Sequence, residues 1–297
     1  MSVKLKSGHI VLISICLTAF FFSTMEVSLK LAGQELDAFQ ITFLRFFGGG
    51  FVMLPPAFAE MKRRRLKLTL SDFGYFSLLD FVCVPMSMLA FQFGVIYANA
   101  STASVLICIN PIFTMLFAIL FKQENYTHRK LLTLLIAVSG IIFMVRPWSM
   151  QDGNTVFGVG SMLIAALFLG LYSVLGKKHV ARIGVLTQNS FSFLIGSMMM
   201  LIVMLFMDRP VLVRLADNLL IVAYAAVGVT GLGYYFLFLA IKHSNATTAS
   251  FAFFMKACIA PFLAMILLNE RILYNTYIGI ALILTASYLN YEQQKQL

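Results

Sequence analysis

The chain has 297 residues, of which 60% are hydrophobic and 11% charged, with a formal net charge of +10. A water-soluble globular chain carries roughly a quarter of its residues as Asp, Glu, Lys and Arg. A chain this apolar cannot clothe itself in polar surface, so the composition excludes a soluble domain and points to an integral membrane protein.

A helix crosses the hydrocarbon core with about 20 apolar residues. Ten such stretches follow one another, at 8–30, 40–60, 73–96, 101–121, 130–146, 157–177, 186–207, 219–240, 247–267 and 274–291. Lys4 and Lys6 precede the first run as they would in a signal peptide. The run from Gly8 to Leu29 is longer than a signal core and lacks a small-residue cleavage site, so it is expected to be a retained first helix. The connecting loops are short and leave no room for a separate soluble domain. Alternating apolar and polar decads, the mark of an outer-membrane barrel, are absent. The expected fold class is therefore an all-α membrane protein of ten transmembrane helices. Cys16, Cys83, Cys108 and Cys258 all lie inside apolar spans without metal-ligand spacing and read as small buried hydrophobes. No metal and no cofactor is expected.

The positive charge is unevenly placed. Of 22 Lys and Arg residues, fifteen fall at one end of the helices, among them Lys62 to Arg65, Lys122, Arg129, Lys130, Lys177, Lys178 and Arg182. Lys30, Arg146, Arg209, Arg214 and Arg271 fall at the other end, while Arg45 and Lys256 lie within spans. By the positive-inside rule the crowded end and both termini face the cytoplasm, which suits a multi-pass protein of the inner or plasma membrane. The charge thus reports topology and contact with anionic lipid, and nucleic acid is not an expected partner.

The sequence also repeats itself. "ANASTAS" at 98–104 and "SNATTAS" at 244–250 match at an offset of 146, and an acidic residue closes the following helix in each case, Glu124 in "FKQE" and Glu270 in "LLNE". Arg45 falls opposite Ser192, and Gly49 opposite Gly196, at nearly the same offset. The chain reads as two copies of a five-helix unit, 1–150 and 151–297. Because five is odd, the second copy enters the membrane from the opposite face. Inverted repeats of this kind are the architecture of many secondary transporters, whose halves rock about a site at the midplane.

Ten helices in two halves, Lys30 closing the first helix, Arg45 in the second, Tyr172, Lys177 and Lys178 in the sixth, and Glu124 and Glu270 after the fourth and ninth resemble the drug/metabolite transporter superfamily, its EamA-type branch most closely. The resemblance covers essentially the whole chain. It implies a secondary transporter of small metabolites, often an exporter of amino acids or related compounds. Two departures stand out. Pro111 precedes Glu124 by thirteen residues, but the matching place in the second half is Ala257, beside Lys256, with the proline at Pro261. Glu26 also stands where the branch is usually uncharged.

Charge inside a membrane costs at least about 2.5–3.5 kcal/mol per residue and marks a partner or a wet cavity. Lys256 lies nearest the midplane and reads as a contact for a carboxylate or phosphate, as a proton-linked switch, or as half of a structural ion pair. Glu26 and Arg45 lie at similar depth; they form a pair, or Glu26 carries a proton. Asp80 faces an inner vestibule or lies near the headgroups. Tyr172 falls opposite Glu26 in the repeat. Tyr234, Tyr235 and Asn110 have polar tips suited to a substrate or to helix packing. Gly228, Gly231 and Gly233 read as close-packing or flexing points and not as a phosphate loop. The expectation is an alternating-access carrier of an amino acid or organic anion, exporting it with protons as coupling ion, as a monomer or homodimer in the bilayer. A phosphorylated or nucleotide-linked sugar carrier is the alternative. An intramembrane enzyme would need a catalytic cluster, yet His9, His128, His179 and His243 are scattered. A receptor or scaffold would leave the inverted symmetry and the central charges without a use.

Overall fold

The computed structural model describes the backbone of residues 2–32, 36–99, 102–103, 106–145, 155–268 and 274–295, and the side chains of these except those at 2–7, 26, 30, 32, 144–145, 264, 268, 287–288 and 290–295. Every predicted span is a helix. They are α1 (Gly8–Leu29), α2 (Ala38–Arg64), α3 (Leu70–Tyr97), α4 (Ile107–Leu120), α5 (His128–Val145), α6 (Val156–Ile183), α7 (Val185–Phe206), α8 (Leu219–His243), α9 (Ala246–Leu268) and α10 (Tyr274–Lys295). Seven of these, all but α4, α5 and α10, are long and apolar enough to cross a membrane as described. The expected boundary at 150/151 and the side chains of Lys30 and Glu270 lie outside the described residues.

Local chemistry sets the helix ends. Asp37 accepts the Phe39 N–H at 2.9 Å to start α2, which stops where Arg65 turns left-handed at φ 51°. The Thr155 hydroxyl accepts the Gly158 N–H at 3.0 Å to start α6. That helix ends at Gly184, whose φ of 101° suits glycine and leaves room for the Glu60 carboxyl against its Cα. Around the outside, Leu70, Phe206 and Leu220 are 86–88% exposed, a surface that hydrocarbon accepts and water would not.

The ten helices form two inverted five-helix repeats, and the repeats interlock. Helix α1 packs on α8 and α9 of the second half, and its counterpart α6 packs on α3 and α4 of the first. Helix α2 lies along α7, and α5 along α10, each beside its own repeat equivalent. Equivalent residues even touch. The rings of Phe46 and Phe193 meet edge to face at 4.9 Å, and the Tyr234 hydroxyl donates to the Met88 sulfur at 3.3 Å. The local two-fold axis therefore runs through the middle of the bundle, between these pairs.

Two helices widen there. In α3 the segment Val82–Met88 is π-helical around Pro85, with the Leu89 N–H reaching the Val84 carbonyl five residues back. In α8 the segment Ala225–Gly233 is π-helical as well. Adding 146 to 82–88 gives 228–234, so the wide turns fall at matching places in the two halves. Such turns are uncommon and concentrate at functional sites.

Close approach of backbones holds the outer pair. A Cβ on Gly140 of α5 would sit 2.7 Å from the Gly279 carbonyl of α10 and 3.0 Å from Ile283. Backbone cannot retreat cheaply, so Gly140→Val should destabilise the protein by about 1–3 kcal/mol, the usual cost of overpacking. A fall in the melting temperature of the purified protein in detergent would register it.

Candidate functional site

The axis region collects side chains from six helices. Phe46 comes from α2, Met88 from α3, Tyr172 from α6, Phe193 from α7, Tyr234 from α8 and Phe22 from α1. Tyr234 is the hub: its ring lies 5.1 Å from Phe22, 5.2 Å from Phe193, and 5.9 Å from both Phe46 and Tyr172. The Cys83 thiol, in the π-helical turn of α3, sits beside the Tyr172 and Tyr234 hydroxyls, with Asp80 and Arg45 in electrostatic range. Arg45, Asp80, Tyr172 and Tyr234 thus share one neighbourhood, and none is more than 1% exposed.

Lys256 is buried to 1% exposure on α9, and its ammonium lies 5.6 Å over the Phe91 ring of α3. The Arg45 guanidinium lies 4.6 Å over the Phe46 ring. Neither cation is without a partner. The side chain of Glu26 lies outside the described residues, and so does its expected pairing with Arg45 or Lys256.

Asp80 points inward, not to the headgroups. Its Cβ packs on α7 so closely that a Cβ on Gly196 would be 2.7 Å away, and the Ser192 hydroxyl faces its carboxyl. Asn110 is a packing residue: its amide donates to the Ala166 carbonyl of α6 at 3.1 Å and its side-chain oxygen accepts from Thr114 at 3.2 Å. Tyr235 is half-buried against the core and meets its neighbour Phe236 edge to face at 5.2 Å. Gly233 is a close-packing point, since a Cβ there would lie 2.6 Å from the Phe22 ring.

Sequence reasoning missed the polar partners of these residues. Gln92 on α3, Asn189 and Ser192 on α7, and Thr230 on α8 are 0–1% exposed. Each carries a side-chain atom with no hydrogen-bond partner among the described residues, as do both carboxyl oxygens of Asp80 and the Tyr172 hydroxyl. The signal was present in the run Thr187, Gln188, Asn189, Ser190 and Ser192, a string of polar residues inside an apolar span. A polar group buried without a partner costs on the order of 1–3 kcal/mol. Tyr172→Phe removes one such hydroxyl, which gives up only a weak contact with the Cys83 thiol. It should leave the melting temperature of the purified protein unchanged or higher.

Buried carboxylates tie the helices at the basic end. Glu60 of α2 accepts from the Thr187 N–H at 3.0 Å and its hydroxyl at 3.2 Å, and pairs with Arg64 at 3.3 Å. Glu124, after α4, accepts from the Thr247 N–H at 3.2 Å in the first turn of α9 and pairs with Lys130 at 3.0 Å. Asp72 of α3 pairs with Arg182 of α6. A carboxylate at a helix start complements the dipole there, so the motif residue Glu124 seats the helix that carries Lys256. Among the described residues, no three His, Cys, Asp or Glu side chains gather in a way that could hold a metal ion.

Comparison with known proteins agrees with this architecture. The model of the EamA-like transporter family matches residues 9–146 and again 156–291. A protein of Clostridium kluyveri named "Uncharacterized transporter" is 33% identical, over 98% of this chain and 95% of its own. The S-adenosylmethionine uptake transporter of Rickettsia prowazekii is 24% identical, over 93% of this chain and 90% of its own. The pseudopaline exporter CntI of Pseudomonas aeruginosa is 28% identical, over 82% of this chain and 81% of its own. A solved crystal structure superposes with a TM-score of 0.74 at 15% identity, covering 98% of both chains, a likeness of fold.

Proposed function

Because the chain belongs to the EamA-like transporter family, we propose that it carries a small solute bearing a carboxylate, an amino acid or derivative or an organic anion, by alternating access. The observation behind this reading is Lys256, a cation held at 1% exposure on the ninth helix and sharing the interior with an aromatic cluster and unmet polar groups. A carboxylate answers the ammonium, and the Tyr172–Tyr234 face suits a flat or cationic group on the same solute. S-adenosylmethionine, the solute for which the Rickettsia relatives are named, unites these features in one molecule: an amino-acid head, a sulfonium and an aromatic base. The direction proposed is export, the sense in which the pseudopaline relative is named. The basic end, with both termini, is taken to face the cytoplasm, and an ion gradient supplies the drive.

A second reading has a specific observation in its favour. Arg45 is fully buried in the same interior, and two cations suit a phosphorylated or nucleotide-linked sugar better than one. A thermal-shift screen of purified wild type and Lys256→Ala against amino acids, organic acids, S-adenosylmethionine, sugar phosphates, amines and neutral sugars separates the two, because a ligand of the folded state raises apparent stability by mass action. Stabilisation of wild type alone by a carboxylate-bearing solute supports the first reading, and stabilisation by sugar phosphates alone supports the second. If amines or neutral sugars stabilise both proteins equally, Lys256 binds no substrate and both readings fall.

A further inference from the structure

Asp80 differs from the other acids that the structure describes as shielded from solvent, the exposed Asp208 and Asp217 aside. Glu60, Asp72, Glu124 and Asp37 each have a basic partner within ion-pair distance, at Arg64, Arg182, Lys130 and Arg209. Asp80 has none among the described residues, is 0% exposed, and has neither carboxyl oxygen in a hydrogen bond of good geometry. Arg45 shares its neighbourhood but makes no ion pair with it. Tyr75 and Cys83 face it from α3, Tyr172 from α6 and Tyr234 from α8, while α7 offers Gly196 and the Ser192 hydroxyl. Arg45 of α2 bears on Cys83 and Tyr234. A bare carboxylate enclosed by low dielectric is too costly to persist; such a group neutralises itself or finds a cation.

Its surroundings also provide a way in and out. About 10 residues of α3 separate Asp80 from the start of the helix at the basic end, some 15 Å at the usual helical rise. Tyr75 lies one turn nearer that end. Its hydroxyl bonds to the Leu175 carbonyl at 3.1 Å and to Gln188 at 3.3 Å, and its ring stacks at 4.3 Å on half-buried His179. On the other side of Asp80 the π-helical turn begins at Val82. A wide turn lets a helix slip by one residue without losing its bonding, which would swing Asp80 off Gly196 and toward Tyr75 and Gln188.

We propose that Asp80 is the site of the coupling proton, held as the neutral acid while α3 and α7 are closed on it and exchanged toward the basic end past the Tyr75 hydroxyl and Gln188 when they part. The coupling role rests on the transporter reading above; the protonated acid does not. Infrared difference spectroscopy of the purified protein without substrate reads the acid directly, through the carbonyl stretch of a protonated carboxyl. The expected result is a band present at neutral pH that bleaches on alkalinisation, is lost in Asp80→Asn, survives in Glu26→Gln, and shifts in position in Ser192→Ala. The last arm keeps the test decisive even if Asp80→Asn fails to fold. In proteoliposomes, Asp80→Asn should lose substrate-coupled proton uptake, read with an enclosed pH dye, and keep substrate exchange. Absence of the band at neutral pH, or its persistence in Asp80→Asn, overturns the proposal. So does a melting temperature that rises with sodium chloride over choline chloride in wild type and not in Asp80→Asn, which would make the site a sodium site. A ligand screen that finds no solute would sink the transporter reading and leave the infrared band where it is.

Discussion

Lys256→Ala should abolish substrate-induced stabilisation and reduce transport to background, while the unliganded protein still purifies as a folded species. The magnitudes separate the two roles the lysine could have. A charge-assisted contact to a solute carboxylate contributes about 1.5–3 kcal/mol, roughly a 10- to 150-fold loss of affinity when it is removed. Breaking a buried structural ion pair instead costs the protein itself about 3–5 kcal/mol, which would appear in the ligand-free melting curve. The repeat supplies a gentler variant. Asn110 is the residue 146 positions earlier, and it serves as a packing residue bonded to α6. Lys256→Asn writes that residue into the second half. It should melt close to wild type and still fail to respond to the solute. A ligand-free melting temperature that collapses in both variants, with solute affinity intact in whatever survives, would make Lys256 a structural residue.

The second large effect belongs to Tyr234. Its ring joins α8 to α1, α2, α6 and α7, and its hydroxyl reaches α3. Tyr234→Ala should therefore cost about 3–5 kcal/mol, the usual range for deleting a fully packed aromatic. Tyr234→Phe loses only the contacts of its hydroxyl, with the Met88 sulfur and the Cys83 thiol, and should stay within about 1.5 kcal/mol of wild type. Denaturation of the two variants in the same mild detergent compares them directly. Equal losses would mean that the hydroxyl, and not the ring, holds the centre.

Much of this architecture is legible in the letters, because a bilayer imposes simple rules. Ten apolar runs became ten helices, and the match of "ANASTAS" with "SNATTAS" marked the repeat whose equivalent residues meet at Phe46–Phe193 and Met88–Tyr234. The glycines of "GLGYYF" were readable as packing points, and Gly233 does lie against Phe22. The wide turns at 82–88 and 225–233 were not readable. A π-helical turn has no composition of its own, and Pro85 alone announces only a kink. Nor could spacing along one helix say that Asp80 would meet Ser192 and Gly196. That contact joins residues more than a hundred positions apart and depends on how α3 and α7 cross. Asn110 and Tyr235 show the converse: a polar tip in mid-span gives depth but not direction, so one turned out to bond a neighbouring backbone and the other to set its ring against Phe236.

The interlocking of the halves also sets a clock. Helix α1 closes against α8 and α9: the Thr18 hydroxyl bonds to the Gly233 carbonyl at 3.4 Å, and Phe22 meets Phe253 at 5.6 Å. Some 190 residues of chain separate Leu29, where α1 ends, from Leu219, where α8 begins. At ordinary rates of synthesis that is a wait of roughly 10–40 s. For that interval α1 rests in the bilayer with Ser14, Thr18 and Ser23, all buried in the finished protein, turned toward lipid or a temporary companion. The chain is thus most open to membrane proteases before its last ribosomal steps, and a stop codon anywhere ahead of α8 leaves a first helix with nothing to close against.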